Sequence, residues 1–298
     1  MKLPMKYGLV LLLTLQAIFC PLYCRPRLID HGYNQHSQFG EDGIIQKIFE
    51  IMGTKSKIVV EFGAWDGFHF SNTAALWSRD LSWKGILIEG DPERFKELKR
   101  NTASYNCLAI NAWVGITQED CLETILKKHD ITETIDLLSI DIDGNDYHIF
   151  ESLKKIRPRL IIVEYNPTIP VWYDVYAPYS KDNNFGQSVA ALNRVAEKKG
   201  YKLIALTITN AFYVLKKDFE KFAEYETELS LININDGHMV LVTAYDGKYA
   251  LIKNKQTNYF YGLDEQFKGK IYGECIRCDT KPLPLGIAMQ AAYKKSGC

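Results

Sequence analysis

Residues 57–67 read KIVVEFGAWDG. Ile58, Val59 and Val60, with Phe62 close behind, form a short apolar run of the kind buried on both faces of a sheet. Glu61 lies near its end, and Gly63 and Gly67 bracket a tight turn. A helical pattern follows from about Ser71, with Ser71 or Asn72 as its N-cap. Strand, glycine turn and helix start make the first half of a nucleotide-binding α/β unit, in which glycine lets a ligand come close to the backbone at the strand end.

Downstream the pattern repeats. Residues 84–89 read as a second buried strand ending in Glu89, and Asp91-Pro92 opens a helix through Asn101. A carboxylate at this tip, roughly 20 residues beyond a glycine turn, stands where such folds hold a ribose. Further strands are predicted at 107–114, 135–141 and 159–164, alternating with helices at 119–128 and 147–155. This alternation predicts a mostly parallel sheet with right-handed crossovers and both faces covered. Its acids then collect at the carboxyl ends of the strands. Upstream, 36–52 reads as an amphipathic helix behind a polar turn whose Ser37 and Asp42 either cap it or face a ligand. The irregular stretch 167–185 carries Trp172, Tyr173, Tyr176 and Tyr179 and is a candidate lid. A helix over 186–199 leads to an antiparallel pair at 203–207 and 211–215.

The 298 residues suffice for a large domain plus an appendage, and 36 basic residues cancel 36 acidic ones. That balance argues against a nucleic-acid partner. Lys2 and Lys6 precede an apolar run, 8–19, too short to span a bilayer. Residues 1–24 therefore read as a signal peptide or short anchor. The expected location is exported or cell-envelope, with membrane association through the leader only, or cytoplasmic if the leader does not function. Cys275 and Cys278 form a lone CxxC without a second pair at zinc spacing, which suits a local disulfide. The domain is expected over 31–215. A small β-rich appendage follows over 216–298, with a hairpin turn at Asp246-Gly247.

The densest polar cluster is Asp141-Ile142-Asp143-Gly144-Asn145-Asp146, and Glu164-Tyr165-Asn166-Pro167 ends the next strand. A phosphatase nucleophile motif would want a hydroxyl residue where Asn145 stands. An EF-hand calcium loop would want glycine where Asp146 stands. The whole order, E-x-G-A-x-D-G, I-L-I-E-G-D, L-L-S-I-D-I-D-G-N-D and I-I-V-E-Y-N-P, resembles the FkbM-type S-adenosylmethionine-dependent methyltransferases. So do Ser37 to Gly43 and the Trp83-Lys84-Gly85 step, and the resemblance runs from Ser37 to Val214. It implies a Rossmann-like, seven-stranded methyltransferase sheet. S-adenosyl-L-methionine would lie along Gly63, Ala64 and Gly67, its amino end near Glu61, its ribose on Glu89 and its methyl near Asp141. The implied reaction is displacement at the sulfonium methyl by a hydroxyl on a glycan or related small molecule.

Asp141 and Asp143 alternate along one strand and so share a face, as do Glu164 and Asn166 on the next. Asp141, Asp143, Glu164 and Asn166 are thus candidate ligands for Mg²⁺ or Ca²⁺. Otherwise Asp143 and Asp146 cap the following helix. Asp141, Asp143 and His148 are the candidate catalytic residues, with His69 a rival base. The other reading is an exported or envelope binding protein that keeps this scaffold without turnover.

Overall fold

Successive strand residues face opposite sides of a sheet, yet all five residues of strand β1 (Ile58–Phe62) are buried. Helices therefore cover both faces. Val59 belongs to one core cluster with Ile44, Trp77 and Leu98, while Val60 and Phe62 belong to another with Leu122, Phe150 and Leu192. Helices α1 (Glu41–Met52), α2 (Ala74–Arg79) and α3 (Pro92–Asn101) supply the first cluster. Helices α4 (Leu122–Lys128), α5 (Asp146–Ser152) and α6 (Val189–Lys198) supply the second.

The computed structural model describes residues 25–181 and 185–234, together with two strands at Met239–Thr243 and Tyr249–Lys253. The expected leader, the CxxC and most of the appendage lie outside the described residues. Strands β2 (Lys84–Glu89), β3 (Cys107–Asn111), β4 (Leu137–Ile140) and β5 (Leu160–Glu164) join β1 in parallel. With β6 (Tyr201–Leu206) and β7 (Asn210–Leu215) the order is β3-β2-β1-β4-β5-β7-β6, and β7 is antiparallel to both its neighbours. The expected Rossmann-like sheet, mostly parallel with an antiparallel closing strand, is the one that forms. Met239–Thr243 and Tyr249–Lys253 pair antiparallel, as a hairpin there requires. Among the described residues no helix is long and apolar enough to cross a membrane.

Two boundaries differ from the sequence reading. Helix α2 starts at Ala74 rather than Ser71, because Ser71, Asn72 and Thr73 all bond the buried Glu61 carboxylate. Strand β4 stops at Ile140, one residue short of Asp141.

The far end of the sheet is tied by Asp136, which is fully buried. Its carboxylate accepts hydrogen bonds from the N–H groups of Lys55, Ser56 and Lys57, each at 2.8 Å, and pairs with Arg159 at 2.9 Å. Arg159 also donates to the carbonyls of Met52 and Gly53, which end α1. One knot thus sets the starts of β1, β4 and β5 and the end of α1. Asp136→Ala should lower stability by about 3–5 kcal/mol, because it leaves a buried guanidinium without its counter-charge. Urea denaturation followed by circular dichroism measures this; a loss under about 1 kcal/mol would mean that the knot is incidental.

Candidate functional site

Strand register lines up the carboxyl rim. Phe62 pairs with both Ile88 and Ile140, Ile140 with Val163, Glu89 with Asn111 and Glu164 with Asn210. One step beyond Phe62, Glu89, Gly63, Asp141 and Glu164 therefore stand side by side, with Asn111 and Asn210 at the flanks. The four positions come from four different sequence motifs, and the sheet gathers them.

Gly63 has φ 74°, and a Cβ there would overlap the carbonyl oxygen of Asp141. The backbone just past β4 thus packs directly against this glycine. Gly67, at φ 93°, packs in the same way against Leu98 and Thr102. Ala64 is buried, donating its N–H to Ile88 and accepting from Gly67. Glu61 is bonded within its own connection. Its carboxylate accepts from Ser71 Oγ and Thr73 Oγ1, both at 2.6 Å, and from the N–H of Asn72 at 2.8 Å, so it holds the β1–α2 connection. Burial raises its pKa, and the nearby Asp42 charge acts in the same sense.

Glu89 keeps its expected place. It is buried, and one backbone N–H reaches each oxygen, Trp65 at Oε2 and Asp91 at Oε1, both at 2.8 Å. Each oxygen retains a second lone-pair direction. Beside it lies a residue the sequence reading missed. The Trp113 indole covers Gly90 so closely that a Cβ there would overlap the ring, and Trp113 is 74% exposed. No periodicity marks this position, although an aromatic two residues past β3 could have been noticed.

Asp141, Asp143 and Glu164 each bring a carboxylate oxygen within 4.8 Å of the others. They do so by a route other than strand alternation. Residues 141–144 form a turn, Asp143 has φ 57°, and Asp146 holds the turn by accepting from the N–H groups of Ile142 and Gly144. Asp146 thus ties what precedes α5 rather than capping it. Burial, followed by the charges of Asp146, Asp143, Glu61 and Glu41, holds Asp141 well above the usual carboxylate range. Burial also pushes Asp146 up to about 6. Asn166 leaves the proposed ligand set, because its Oδ1 already accepts from the N–H and Oγ1 of Thr168. A notch of about 10 Å³, roughly one water, is lined by Asp143, Gly144, Glu164 and Asn166. Two of the three clustered acids, Asp143 and Glu164, line this notch, and the donor set is of the hard-oxygen kind that suits Mg²⁺ or Ca²⁺.

The histidines fall elsewhere. His148 Nε2 lies 2.8 Å from the Ala177 carbonyl, with its ring against Tyr147, Tyr176 and Tyr179, which makes it a packing residue of the aromatic loop. His69 sits against Trp65 and Phe70. The loop is anchored at Asp174 and Tyr176. Tyr176 stacks on Tyr147 at 4.1 Å, and Arg194 lies over both rings while pairing with Asp174. Trp172, Tyr173 and Tyr179 remain exposed. The 37–42 turn closes the other side. Asp42 organises it, and Glu41 reaches Thr207 Oγ1 and Asn210 Nδ2, a link to the rim that no local pattern announced.

Residues 114–203 match the family model of the methyltransferase FkbM domain. This is the family that the motifs resemble, and the match indicates an S-adenosylmethionine-dependent methyltransferase. A search of curated proteins finds no match. Among solved structures, the chain is similar to an S-adenosylmethionine-dependent methyltransferase from Clostridium acetobutylicum, at 11% identity over 59% of this chain and 90% of that one, with a TM-score of 0.40. It is also similar to the N-terminal domain of EvdMO1 with SAH bound, at 13% identity over 58% and 79%, with a TM-score of 0.38.

Glu61 supplies a test of the rim's electrostatics. Its folded-state pKa lies above the ordinary 4.5, so its contribution to stability is present below that value and is lost as pH rises beyond it. Glu61→Gln removes the buried charge. The variant should therefore gain on the wild type between about pH 4.5 and pH 8. Thermal melts across that range read the difference, and an offset constant with pH would contradict it.

Proposed function

We propose that the chain transfers a methyl group from S-adenosylmethionine to a hydroxyl of a glycan or related small molecule. The observation that carries this reading is the row at the rim, with Glu89 and the acid cluster on either side of the glycine turn. The cofactor supplies a sulfonium methyl. Glu89, with one lone pair free on each oxygen, is suited to a vicinal diol, and the Trp113 face beside it to a flat ring. Without a cation, a carboxylate whose proton affinity is raised, as at Asp141, is the better general base near neutral pH. A divalent cation held by Asp141, Asp143 and Glu164 would replace that role, its chemistry there being to acidify a bound hydroxyl. Little covalent work falls to the protein, so alignment counts most.

The acceptor class follows from what surrounds the acids. Trp65, Phe70, Trp113, Trp172, Tyr173 and Tyr179 are exposed in loops that follow β1, β3 and β5, all on this rim. Trp65 and Phe70 also have positive φ, and strain of this kind collects at functional sites. Aromatic faces beside carboxylates suit sugars, which offer apolar C–H faces and hydroxyl edges.

Calorimetry with S-adenosylhomocysteine should show binding that Glu89→Ala weakens more than tenfold, about 2 kcal/mol. Asp143→Asn should leave that affinity intact and weaken Mn²⁺ binding. A wild-type protein that binds no S-adenosylhomocysteine would favour the exported binding protein without turnover. Residues 1–24 act in this reading as an export leader. Fractionating cells that express the full chain, or one begun at Arg25, should place only the full chain in the envelope or medium. Finding both in the cytosol would reject the leader.

A further inference from the structure

The chain carries no net charge, yet two clusters of opposite sign stand at opposite ends of the sheet. Asp66, Glu89, Asp91, Asp141, Asp143 and Glu164 lie at or just past the carboxyl ends of β1, β2, β4 and β5. Cations gather at the other end, where three stretches of chain meet. Lys154, Lys155 and Arg157 lie between α5 and β5, Lys198 and Lys199 close α6, Lys202 is the second residue of β6, and Lys216 and Lys217 follow β7. Because β7 is antiparallel, its end lies beside the starts of β5 and β6, with Val214 opposite Leu160 and Leu215 opposite Tyr201. Arg157 Nη2 donates to the Lys199 carbonyl at 2.6 Å, Lys199 Nζ to the Leu153 carbonyl, and the Lys216 N–H to the Gly200 carbonyl at 2.9 Å. The three stretches make one surface.

Of these eight cations only Lys202 forms an ion pair among the described residues, with Glu197 at 3.2 Å. Glu123 accepts from the N–H groups of Lys154 and Lys155, Glu151 accepts from Tyr147, and Glu220 follows Lys216 by one helical turn without pairing with it. Asp218 is buried and pairs with Lys221. Eight cations thus stand against four acids, and Lys154, Lys155, Arg157, Lys198, Lys216 and Lys217 are exposed. A helix C-terminus favours cations, which accounts for Lys198 and Lys199. Lys216 and Lys217 instead open the helical turn Lys216–Phe219, where the macrodipole opposes them. Crowded like charges destabilise a fold, and a polyanion laid against them relieves the repulsion.

We propose that this end of the sheet docks on an acidic phospholipid surface, with the exposed lysines and Arg157 against the headgroup phosphates and the acid-lined rim turned away from the bilayer. Two observations favour a membrane over other polyanions. The cations come from three separate turns and point from an open surface, which suits an extended plane of charge. The first described residues also lie close by. Residues 216–222 form a short helical segment that leads from the cations to the seam where Pro26 and Arg27 meet Glu226. In the reading of residues 1–24 as a short anchor, the lipid attachment starts one such segment from the basic surface. A weak anchor holds a bilayer only marginally, and a polybasic patch beside it supplies the second contact. The proposal is independent of the methyl-transfer reading and stands or falls separately from it.

The test is co-sedimentation of the full chain with vesicles of phosphatidylcholine alone, or of phosphatidylcholine and phosphatidylglycerol in a ratio of roughly two to one. Acidic vesicles should bind at least about tenfold more tightly than neutral ones, and salt at about 0.5 M should abolish the difference. Lys154→Gln with Lys155→Gln, and separately Lys216→Gln with Lys217→Gln, should each weaken acidic-vesicle binding at least about tenfold. Lys47→Gln with Lys96→Gln removes the same charge elsewhere and should leave binding unchanged. If one basic pair fails to fold, the other pair and the salt dependence still decide. Brominated lipid should leave tryptophan fluorescence unquenched, because the exposed Trp65, Trp113 and Trp172 stand on the opposite rim. Quenching would overturn the proposal and place the rim aromatics in the bilayer. Equal binding to both vesicles, or basic pairs that behave like the control pair, would overturn it too. So would displacement by inorganic phosphate at fixed ionic strength, which marks a small-anion site, or tighter binding to duplex DNA than to acidic vesicles.

Discussion

Asp136 accepts hydrogen bonds from three consecutive backbone N–H groups and a guanidinium, at the end of the sheet where no ligand is expected. Because β1, β4 and β5 start from that one carboxylate, they reach the opposite rim in fixed register. A slip of one residue would turn every side chain of a strand to the other face. The slip would also break the row of Glu89, Gly63, Asp141 and Glu164. A buried ion pair contributes little net stability against an apolar replacement, but it is strict about geometry. Here its geometry is carried the length of the sheet.

At the rim the same close packing works electrostatically. Gly63 lets β1 and the residue after β4 approach until the glycine meets the Asp141 carbonyl, and Asp141 feels the charges of Asp146, Asp143 and Glu61. Those charges add to burial in favouring its protonated form. Perturbed carboxylates gathered at strand ends are the usual signature of a working site, though structural acids shift too. Glu61 is surrounded by loop donors, whereas Asp141 lies in the cluster with Asp143 and Glu164.

The parts of this arrangement that local chemistry dictates were legible in the chain. Residues 84–89 are a strand by composition, and Asp91 before Pro92 caps α3, accepting from the N–H groups of Glu93 and Arg94. The same holds for Glu89 as a strand-tip acid. What failed depends on partners far away in sequence. A glycine turn looks the same whatever packs against it, so the contact of Gly63 with the Asp141 carbonyl could not be read from the chain. Ser71 resembles a helix cap until Glu61 takes it. Asn166 could have been set aside earlier, since an Asn two residues before a Thr is free to close a local turn onto it. Trp113 left no trace in periodicity, because its place depends on no repeating face.

The described domain also closes on itself. Arg27 and Glu226 form a β-bridge, Glu226 donates its N–H to the Pro26 carbonyl at 2.9 Å, and His31 packs against Tyr225. The first described residues are therefore pinned beside residue 226, from which the chain runs on to bury Ile232 in the core. Whatever is attached ahead of Pro26 starts from this seam, and trimming either side of the seam loosens the other. A tether there would fix the position of the globule at that point while leaving its orientation to swivel.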